Sequence, residues 1–508
     1  MELASAPLTT ATWILILVYA VAILYFVIRG AKKITNIDDY AVGSILFSPY
    51  AVGLSLAASI TSAATFIINP GFVALYGISG VLSMAIALPF AALISLVLLT
   101  KGFRKHGSTV KALTMAQWME TMYKSKKYGI FFGFLSLLLI TFIVLICVGL
   151  TKVLSSALNV EELYVLIGIV IFVFGYMMFG GANSMVYTNT IQAILMLIVA
   201  FILLGSGYEH FSNGVHGFLD KLRAIDPQLV ATTNDSSFLF RDYFEIFIAQ
   251  FIVGIAIICQ PHILTKSLLL NKDEDVNKYL MVGITAQLLF FFVVFTGLYI
   301  RLTFPDLSVG GNVIPMDGLV SAYVVSEFPV FIGLIVVMGL ISAGLSTLES
   351  LIQSLSTTIT KDILEPLAGA KLGMKKDGGT NVTINKIVIA VLAVVAIFVS
   401  WDQLVNPKLS VGIFAQNGVY AYFSAAFVPI LFGMFFRDVP LAAVFSASVV
   451  AIVTHFTMYY AMLPVPFTQS TGENPGVAAA VAITFSVITV FSVMFAKGHK
   501  ISLKGDKE

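Results

Sequence analysis

Two serine- and threonine-rich runs interrupt apolar stretches of this chain and carry side chains that could bind an ion. The first run covers 57–71 and holds four hydroxyls, an amide and a Pro-Gly pair: Ser59, Thr61, Ser62, Thr65, Asn69, Pro70 and Gly71. The second run covers 341–350 and holds Ser342, Ser346, Thr347, Glu349 and Ser350. Hydroxyl and carbonyl oxygens of low total charge suit a monovalent cation better than Ca²⁺ or Zn²⁺.

The first run also predicts an irregular helix. Ser and Thr compete for backbone hydrogen bonds, and Pro70 removes one of these bonds outright. Irregular backbone at membrane depth persists only inside protein or beside a water-filled cavity, where freed carbonyls can coordinate a cation such as Na⁺. The alternative is close helix packing through small residues.

In the second run, Ser346, Glu349 and Ser350 are spaced i, i+3 and i+4, which places them on one face of a helix. An ionisable side chain inside the bilayer is costly and indicates an ion site, a proton relay or a transport pathway. The alternative is that Glu349 lies near the cytoplasmic surface and is hydrated there.

The composition indicates that these two runs lie in a membrane protein. The chain of 508 residues is 58% hydrophobic and only 11% charged, with a mean hydropathy of +0.96. A soluble domain would carry roughly a quarter charged residues and about half apolar ones. No loop is long enough for a folded catalytic domain, and no nucleophile–base pair or metal motif is found, so an enzyme is not expected.

A helix needs about 20 apolar residues to cross the hydrocarbon core. This rule predicts an all-α integral membrane protein of about thirteen transmembrane helices, numbered here as spans one to thirteen in chain order. The predicted spans lie at about 8–29, 48–77, 79–101, 128–157, 161–180, 184–207, 243–266, 279–303, 329–360, 385–405, 410–436, 438–462 and 475–496.

The distribution of basic residues predicts the orientation. With the N-terminus outside, the inner segments hold 23 of the 29 Lys and Arg residues. Because cytoplasmic loops carry the excess of Lys and Arg, we expect a multi-pass protein of the inner or plasma membrane with a cytoplasmic C-terminus.

The interrupted spans suggest an internal repeat. Span seven is interrupted at Gly254 and at Gln260-Pro261-His262, and spans two to six and seven to eleven each open with a broken helix. This pattern predicts an inverted-repeat transporter with a site near the midplane. The predicted units are 1–47 with a flanking helix, 48–207 as the first five-helix repeat, 208–242 as an external loop, 243–436 as the second repeat, and 437–508 with two flanking helices and the tail.

Several motifs in this order resemble the sodium/solute symporter family, which includes bacterial proline, pantothenate, acetate and sialic acid carriers and animal sodium/glucose carriers. They are Asp38-Asp39-Tyr40, Thr65, Pro70-Gly71, Gly180-Gly181, Thr188-Asn189-Thr190-Ile191-Gln192, Ser346-Thr347 and Thr360-Lys361-Asp362-Ile363. The resemblance covers nearly the whole chain. It implies a LeuT-like core of two inverted five-helix repeats with flanking helices, which works by alternating access.

The resemblance also implies a sodium site between spans two and nine. Its ligands would be the carbonyls of Ala58, Thr61 and Ala343 and the hydroxyls of Ser346 and Thr347. Many members have an aspartate where this chain has Asn189, and Glu349 stands where sialic acid carriers have serine. We therefore expect a second cation or proton site formed by Asn189, Glu349 and Ser350.

Candidate solute contacts lie on the broken helices and those that face them. They are Ser62, Thr65, Phe66, Gln260, His262, Gln416 and Asn417. Each of four residues has an alternative role. Phe66 could serve in packing, Gln416 and Asn417 could join helices, and His262 could lie at the membrane interface at the end of its helix.

The solute class follows from resemblance as well. Gln260-Pro261-His262 is similar to a segment of pantothenate, acetate and other monocarboxylate carriers, and 225–229 is similar to an external loop of pantothenate carriers. The expected function is Na⁺-coupled import of a small carboxylate or amino acid. The alternatives are a sugar or other solute, H⁺ coupling, or a sensor or channel with a transporter fold. The expected partners are a small-molecule solute and the lipid bilayer, with no nucleic acid and no obligatory protein partner.

Overall fold

The computed structural model of the chain describes residues 5–32, 34, 36–43, 47–110, 114–270, 272–374, 379–406, 410–499 and 502–504. Residues 500, 501 and 505–508 of the predicted cytoplasmic tail lie outside this described part. The apolar runs form helices because a helix satisfies its own backbone hydrogen bonds, which lipid cannot do.

The described helices follow the predicted spans closely, with short helical turns between them. The helices of the first half are Ala6–Ala31, Ile37–Val42, Pro49–Ile60, Ala64–Ile68, Asn69–Tyr76, Ile78–Val81, Leu82–Ala87, Leu88–Val110, Met115–Met122, Lys126–Leu135, Ser136–Leu139, Ile140–Leu158, Glu162–Gly205, Tyr208–Phe211, Gly214–Ile225 and Pro227–Val230. Those from span seven to the hairpin are Phe244–Ala249, Gln250–Ile257, Pro261–Leu264, Thr265–Leu269, Asp273–Asp275, Val276–Phe292, Val293–Phe295 and Thr296–Thr303. Those after the hairpin are Met316–Gly318, Leu319–Glu327, Val330–Thr358, Ile359–Leu364, Glu365–Ala368, Gly379–Val405, Val411–Phe435, Leu441–Tyr460 and Pro475–Ala496.

The described part of the chain contains one small β-sheet, a two-stranded hairpin between spans eight and nine. Strand β1 (Ser308–Val309) pairs antiparallel with strand β2 (Asn312–Val313). The two residues between the strands, Gly310 and Gly311, both have positive φ, which glycine adopts without steric cost.

Ten described helices are long and apolar enough to cross a membrane, or twelve if each of two bent helix pairs counts as one span. Spans five and six follow one another directly in the helix Glu162–Gly205, and non-helical backbone at Gly181 separates them. A straight helix of this length would be about 66 Å long, roughly twice the thickness of the hydrocarbon core. The predicted count of thirteen stays a prediction, since it depends on counting the two halves separately.

The break at Gly181 has a specific partner from the Asp38-Asp39-Tyr40 motif. Gly181 has φ +54°, and the hydroxyl of Tyr40 donates a 3.0 Å hydrogen bond to the Met177 carbonyl. Met177 lies four residues before Gly181, so Tyr40 satisfies a carbonyl at the position where the helix is interrupted. The predicted separation of spans five and six thus coincides with a real interruption of the helix.

The two bent helix pairs are spans two and seven. Span two bends by 55° between Pro49–Ile60 and Ala64–Tyr76, and span seven bends by 58° between Phe244–Ile257 and Pro261–Leu269. They are the first helices of the two predicted five-helix sets.

The two bent spans pack against several other helices, and the first half of span two also contacts the long helix Glu162–Gly205. Both halves of span two contact span eight, and span three contacts the first half of span seven. Spans four, nine and ten pack against the long helix Glu162–Gly205. Span one lies outside this core and exposes Trp13, Ile14 and Leu17, as expected of a helix that faces lipid.

Candidate functional site

The broken span two and the straight span nine bring together the five oxygens that the family resemblance implies as sodium ligands. Ser346 Oγ lies 2.8 Å from the Ala58 carbonyl and 3.1 Å from the Ala343 carbonyl. Thr347 Oγ1 lies 3.0 Å from the Thr61 carbonyl and 3.4 Å from that of Ala58. All five residues are fully buried. We call this cluster of Ala58, Thr61, Ala343, Ser346 and Thr347 the sodium nest.

The nest depends on the end of the first half of span two. Pro49–Ile60 ends at Thr61, whose backbone is extended at φ −86° and ψ 113°. The last carbonyls of a helix have no partner within that helix, so they can bind another donor or a cation. Two further groups were not predicted. The Ser59 carbonyl lies 3.3 Å from Thr347 Oγ1, and Thr61 Oγ1 donates a 3.0 Å bond to Gln287 on span eight.

Glu349 is fully buried beside the nest, so the alternative of a hydrated surface position is wrong. Its carboxylate accepts hydrogen bonds from Tyr176 Oη at 2.6 Å, Thr188 Oγ1 at 2.5 Å and Gln192 Nε2 at 3.2 Å. These three donors all come from the helix Glu162–Gly205. Neutral donors therefore hold a carboxylate in the interior of the helix bundle.

Lys266 lies beside this carboxylate and was missed by sequence reasoning, because it was counted among the cytoplasmic basic residues. Its side chain is 2% exposed, and its ammonium contacts Ser59 Oγ and lies 3.2 Å from Ser350 Oγ. The amide orientation of Asn189 that satisfies both of its ends places its oxygen 3.1 Å from Lys266 Nζ and its nitrogen 3.2 Å from Glu349. Asn189 thus links the buried ammonium to the buried carboxylate.

The sequence feature that could have revealed the burial of Lys266 is its position five residues after Pro261. The bend at Pro261 turns the segment Pro261–Leu269 by 58°, and Lys266 lies within this turned segment. The predicted span 243–266, taken as straight, put the same residue at its cytoplasmic end.

A cavity of about 120 Å³ adjoins the breaks of spans two and seven. Five of the seven predicted solute contacts line it: Ser62, Thr65, Gln260, His262 and Gln416. Asn69 and Gln250 also line the cavity and were not predicted. No Lys, Arg, Asp or Glu of the described chain lines this cavity.

The other two predicted contacts lie elsewhere. Phe66 is fully buried and packs edge-to-face on Phe290, with 5.6 Å between the ring centroids. Asn417 hydrogen-bonds Tyr460 Oη at 3.3 Å and His455 Nε2 at 3.0 Å. The structure therefore gives both residues helix-packing contacts outside the cavity lining.

Three cavity side chains have a buried polar atom with no hydrogen-bond partner in the described part of the chain. These atoms are Gln250 Oε1, Gln260 Oε1 and His262 Nδ1. A buried polar group without a partner is costly, so such groups in a cavity indicate a ligand or ordered water that completes them.

The comparison with known families decides what kind of protein holds this site. The family model described as "Sodium:solute symporter family" matches residues 40–450. The chain belongs to the sodium:solute symporter family. The symporter is 26% identical over 479 residues to the sodium/pantothenate symporter of Escherichia coli K12, with 91% of both chains covered. It is 24% identical over 446 residues to the sodium/proline symporter of Staphylococcus aureus, with 86% of this chain and 84% of that protein covered.

The fold is shared with a solved transporter. A Na⁺-coupled sialic acid symporter in a substrate-bound, outward-open state superposes with a TM-score of 0.76. The alignment covers 98% of this chain and 99% of that chain at 17% sequence identity. The predicted all-α, LeuT-like membrane fold is thereby confirmed.

Family membership also confirms the expected activity. The symporter is a multi-pass membrane transporter that couples the import of a small-molecule solute to Na⁺, and it is not an enzyme. The Na⁺ ion is a transported substrate of this reaction.

Proposed function

We propose that the symporter imports a small organic carboxylate or amino acid by alternating access through the cavity at the two helix breaks. The observation that carries this proposal is the set of three unpartnered polar atoms in a cavity without charged side chains. The relatives named as sodium/pantothenate and sodium/proline symporters support it, since both solutes carry a carboxylate.

The cavity offers complementary groups for such a solute. The free oxygens of Gln250 and Gln260 would accept bonds from solute N–H or O–H groups. The second half of span two begins at Ala64 beside the cavity, and the positive end of its dipole favours a carboxylate there. A fixed cation is not required, since the solute charge is also balanced by Na⁺ in the adjacent nest.

The sodium nest is our proposed Na⁺ site. Its three carbonyls and two hydroxyls form an all-oxygen set without a carboxylate, which suits a monovalent ion. Thr61 of the nest directly precedes Ser62 of the cavity, so the ion and the solute would contact consecutive residues of one helix break. Binding of one would pre-organise the backbone for the other.

We also propose that the N-terminus lies outside and the C-terminus in the cytoplasm of the inner or plasma membrane. The excess of Lys and Arg in the predicted inner segments supports this orientation. In the same proposal, 48–207 and 243–436 are the two inverted repeats, and each opens with one of the bent spans.

The test is uptake into proteoliposomes with an imposed inward Na⁺ gradient and a pool of labelled carboxylates, amino acids and sugars. We expect a labelled carboxylate or amino acid to accumulate, and the accumulation to collapse when an ionophore dissipates the gradient. Liposomes without protein and an inward choline gradient are the controls. Accumulation of a sugar alone would reject the proposed solute class while leaving Na⁺ coupling intact.

A further inference from the structure

The interior of the molecule contains a second oxygen cluster, and a lysine side chain already fills it. The cluster consists of Ser59 Oγ, Ser350 Oγ and Asn189 Oδ1, which surround the ammonium of Lys266. An ammonium has three donors and no acceptor, so these three neutral oxygens satisfy it completely. We call this cluster the lysine nest.

The hydroxyls of the lysine nest are oriented to receive a cation. Ser59 Oγ donates a 2.8 Å bond to the Ser55 carbonyl, and Ser350 Oγ donates a 2.8 Å bond to the Ser346 carbonyl. When each hydroxyl makes this bond, its proton points to the preceding turn of its own helix. The oxygen lone pairs remain for the positive charge between the helices.

The Glu349 carboxylate balances the charge of Lys266 without contacting its ammonium directly. No ion pair of the described chain includes Lys266, and the Asn189 amide lies between its ammonium and the Glu349 carboxylate. One positive and one negative charge share a buried, hydrogen-bonded cluster, which is the condition under which buried charges are tolerated. Any second cation here would leave this cluster with excess positive charge.

The lysine nest also shares residues with the sodium nest. Ser346 contributes its hydroxyl to the sodium nest and its carbonyl to the Ser350 hydroxyl. Ser59 contributes its side chain to Lys266 and its carbonyl to Thr347. The two nests are therefore adjacent positions of similar chemistry, both built from neutral oxygens of spans two and nine.

We propose that the Lys266 ammonium is a built-in cation that occupies the second cation position of the symporter, so that each chain binds a single Na⁺ ion. This inference rests on the proposed sodium nest as the place where that ion binds. It replaces the expected second Na⁺ or proton site at Asn189, Glu349 and Ser350 with a fixed charge. The symporter would then move one Na⁺ per transport cycle.

The experiment counts ions by equilibrium binding of ²²Na⁺ to the purified full-length protein in detergent. We expect one Na⁺ per wild-type chain and two per Lys266→Ala chain, because removal of the ammonium leaves three oxygens and an unbalanced carboxylate. In uptake assays, the Hill coefficient for Na⁺ should rise from about one to about two. Lys266→Arg, which keeps a fixed cation, should still bind one ion.

A double variant links the second ion to the buried carboxylate. Lys266→Ala/Glu349→Gln has neither the ammonium nor its counter-charge, and we expect it to return to one Na⁺ per chain. The proposal is overturned if the wild type binds two ions, a result that does not depend on the folding of any variant. It is also overturned if a monodisperse Lys266→Ala protein still binds only one.

The same assay separates this proposal from the proposed sodium nest. Ser346→Ala/Thr347→Ala in the wild-type background should abolish the single bound ion. If that ion remains, the sodium nest is wrong, whatever the ion count of the Lys266 variants. If it disappears while Lys266→Ala binds no additional ion, the nest stands and the built-in cation is rejected.

Discussion

At the scale of single residues, the sodium nest depends on two adjacent hydroxyls that reach across to another helix. Ser346 and Thr347 both contact the Ala58 carbonyl on span two, and Thr347 also reaches the Thr61 carbonyl. Each hydroxyl supplies an oxygen that an alanine cannot replace. We therefore expect the two side chains to contribute directly to Na⁺ affinity at this proposed site.

We expect Ser346→Ala and Thr347→Ala each to raise the Na⁺ concentration for half-maximal uptake about tenfold, equivalent to ~1.4 kcal/mol of lost binding free energy. The reason is the loss of one ligand oxygen in each variant. The measurement is Na⁺-dependent uptake at saturating solute. Ser342→Ala is the matched control, because Ser342 is buried on the same helix and lies near Tyr19 outside the nest.

A second residue-scale prediction concerns the cavity. Gln260→Ala removes an oxygen that has no protein partner, so we expect the KM for the solute to rise about tenfold while ²²Na⁺ binding is unchanged. Kinetics of uptake at saturating Na⁺ would measure this change. Gln403→Ala, at the far end of span ten, is the control for glutamine loss. An unchanged KM for Gln260→Ala would remove Gln260 from the solute site.

How much of the site the sequence reveals depends on whether a residue acts along one helix or across a bend. The face shared by Ser346, Glu349 and Ser350 follows from helical spacing alone. Lys266 could not be placed in this way, because its position depends on the angle at Pro261. Gln287 was also missed, since a single amide in an apolar helix gives no indication of which helix it faces.

At the scale of helices, interruptions of the helical backbone position the polar side chains and carbonyls of the candidate site. Spans two and seven bend by 55° and 58°, and Gly181 interrupts the helix Glu162–Gly205. The bend of span two lies at 61–63, before Pro70-Gly71, and the predicted interruption at Gly254 is wrong, because Gly254 lies inside the helix Gln250–Ile257. The sequence did indicate an irregular span two, a break at Gln260-Pro261-His262 and a boundary between spans five and six. It could not provide the bend angles, which depend on the packing of neighbouring helices.

We expect Gly181→Ala to destabilise the protein and Gly175→Ala to leave it unchanged or slightly more stable. A Cβ at Gly181 would lie 2.8 Å from the Tyr40 ring, at a φ of +54° that alanine adopts only with strain. A Cβ at Gly175, on the same helix, would meet nothing within 4 Å, and alanine favours helix over glycine.

Thermal unfolding of the two purified variants in detergent would test this pair. The midpoint of Gly181→Ala should fall by several degrees, given a strain on the order of 1–3 kcal/mol. Equal midpoints for the two variants would show that the Gly181 break is not required by the fold.

At the scale of the whole molecule, the orientation in the membrane determines which side of the cavity is the entrance. Both native cysteines, Cys147 and Cys259, are buried, so single introduced cysteines can report on sidedness with little background. Val313 on the small hairpin and Lys497 after span thirteen are both exposed and lie in segments predicted on opposite sides.

We expect a membrane-impermeant maleimide to label Val313→Cys in intact cells and Lys497→Cys only after permeabilisation. The reason is the concentration of basic residues in the predicted inner segments. The unmodified protein serves as the control for labelling of Cys147 and Cys259. Labelling of Lys497→Cys in intact cells, with Val313→Cys protected, would reverse the proposed orientation.

The turned segment Pro261–Leu269 places His262 on the cavity wall and Lys266 between spans two and nine. One short segment thus carries a side chain of the cavity and a side chain of the lysine nest, and a shift of the whole segment would displace both. Linked equilibria are reciprocal: if solute binding at His262 changes the stability of the Lys266 contacts by some factor, formation of those contacts changes solute affinity by the same factor. We therefore expect a substitution at His262 that moves this turn to change the Na⁺ dependence of uptake as well, even with every proposed sodium ligand intact.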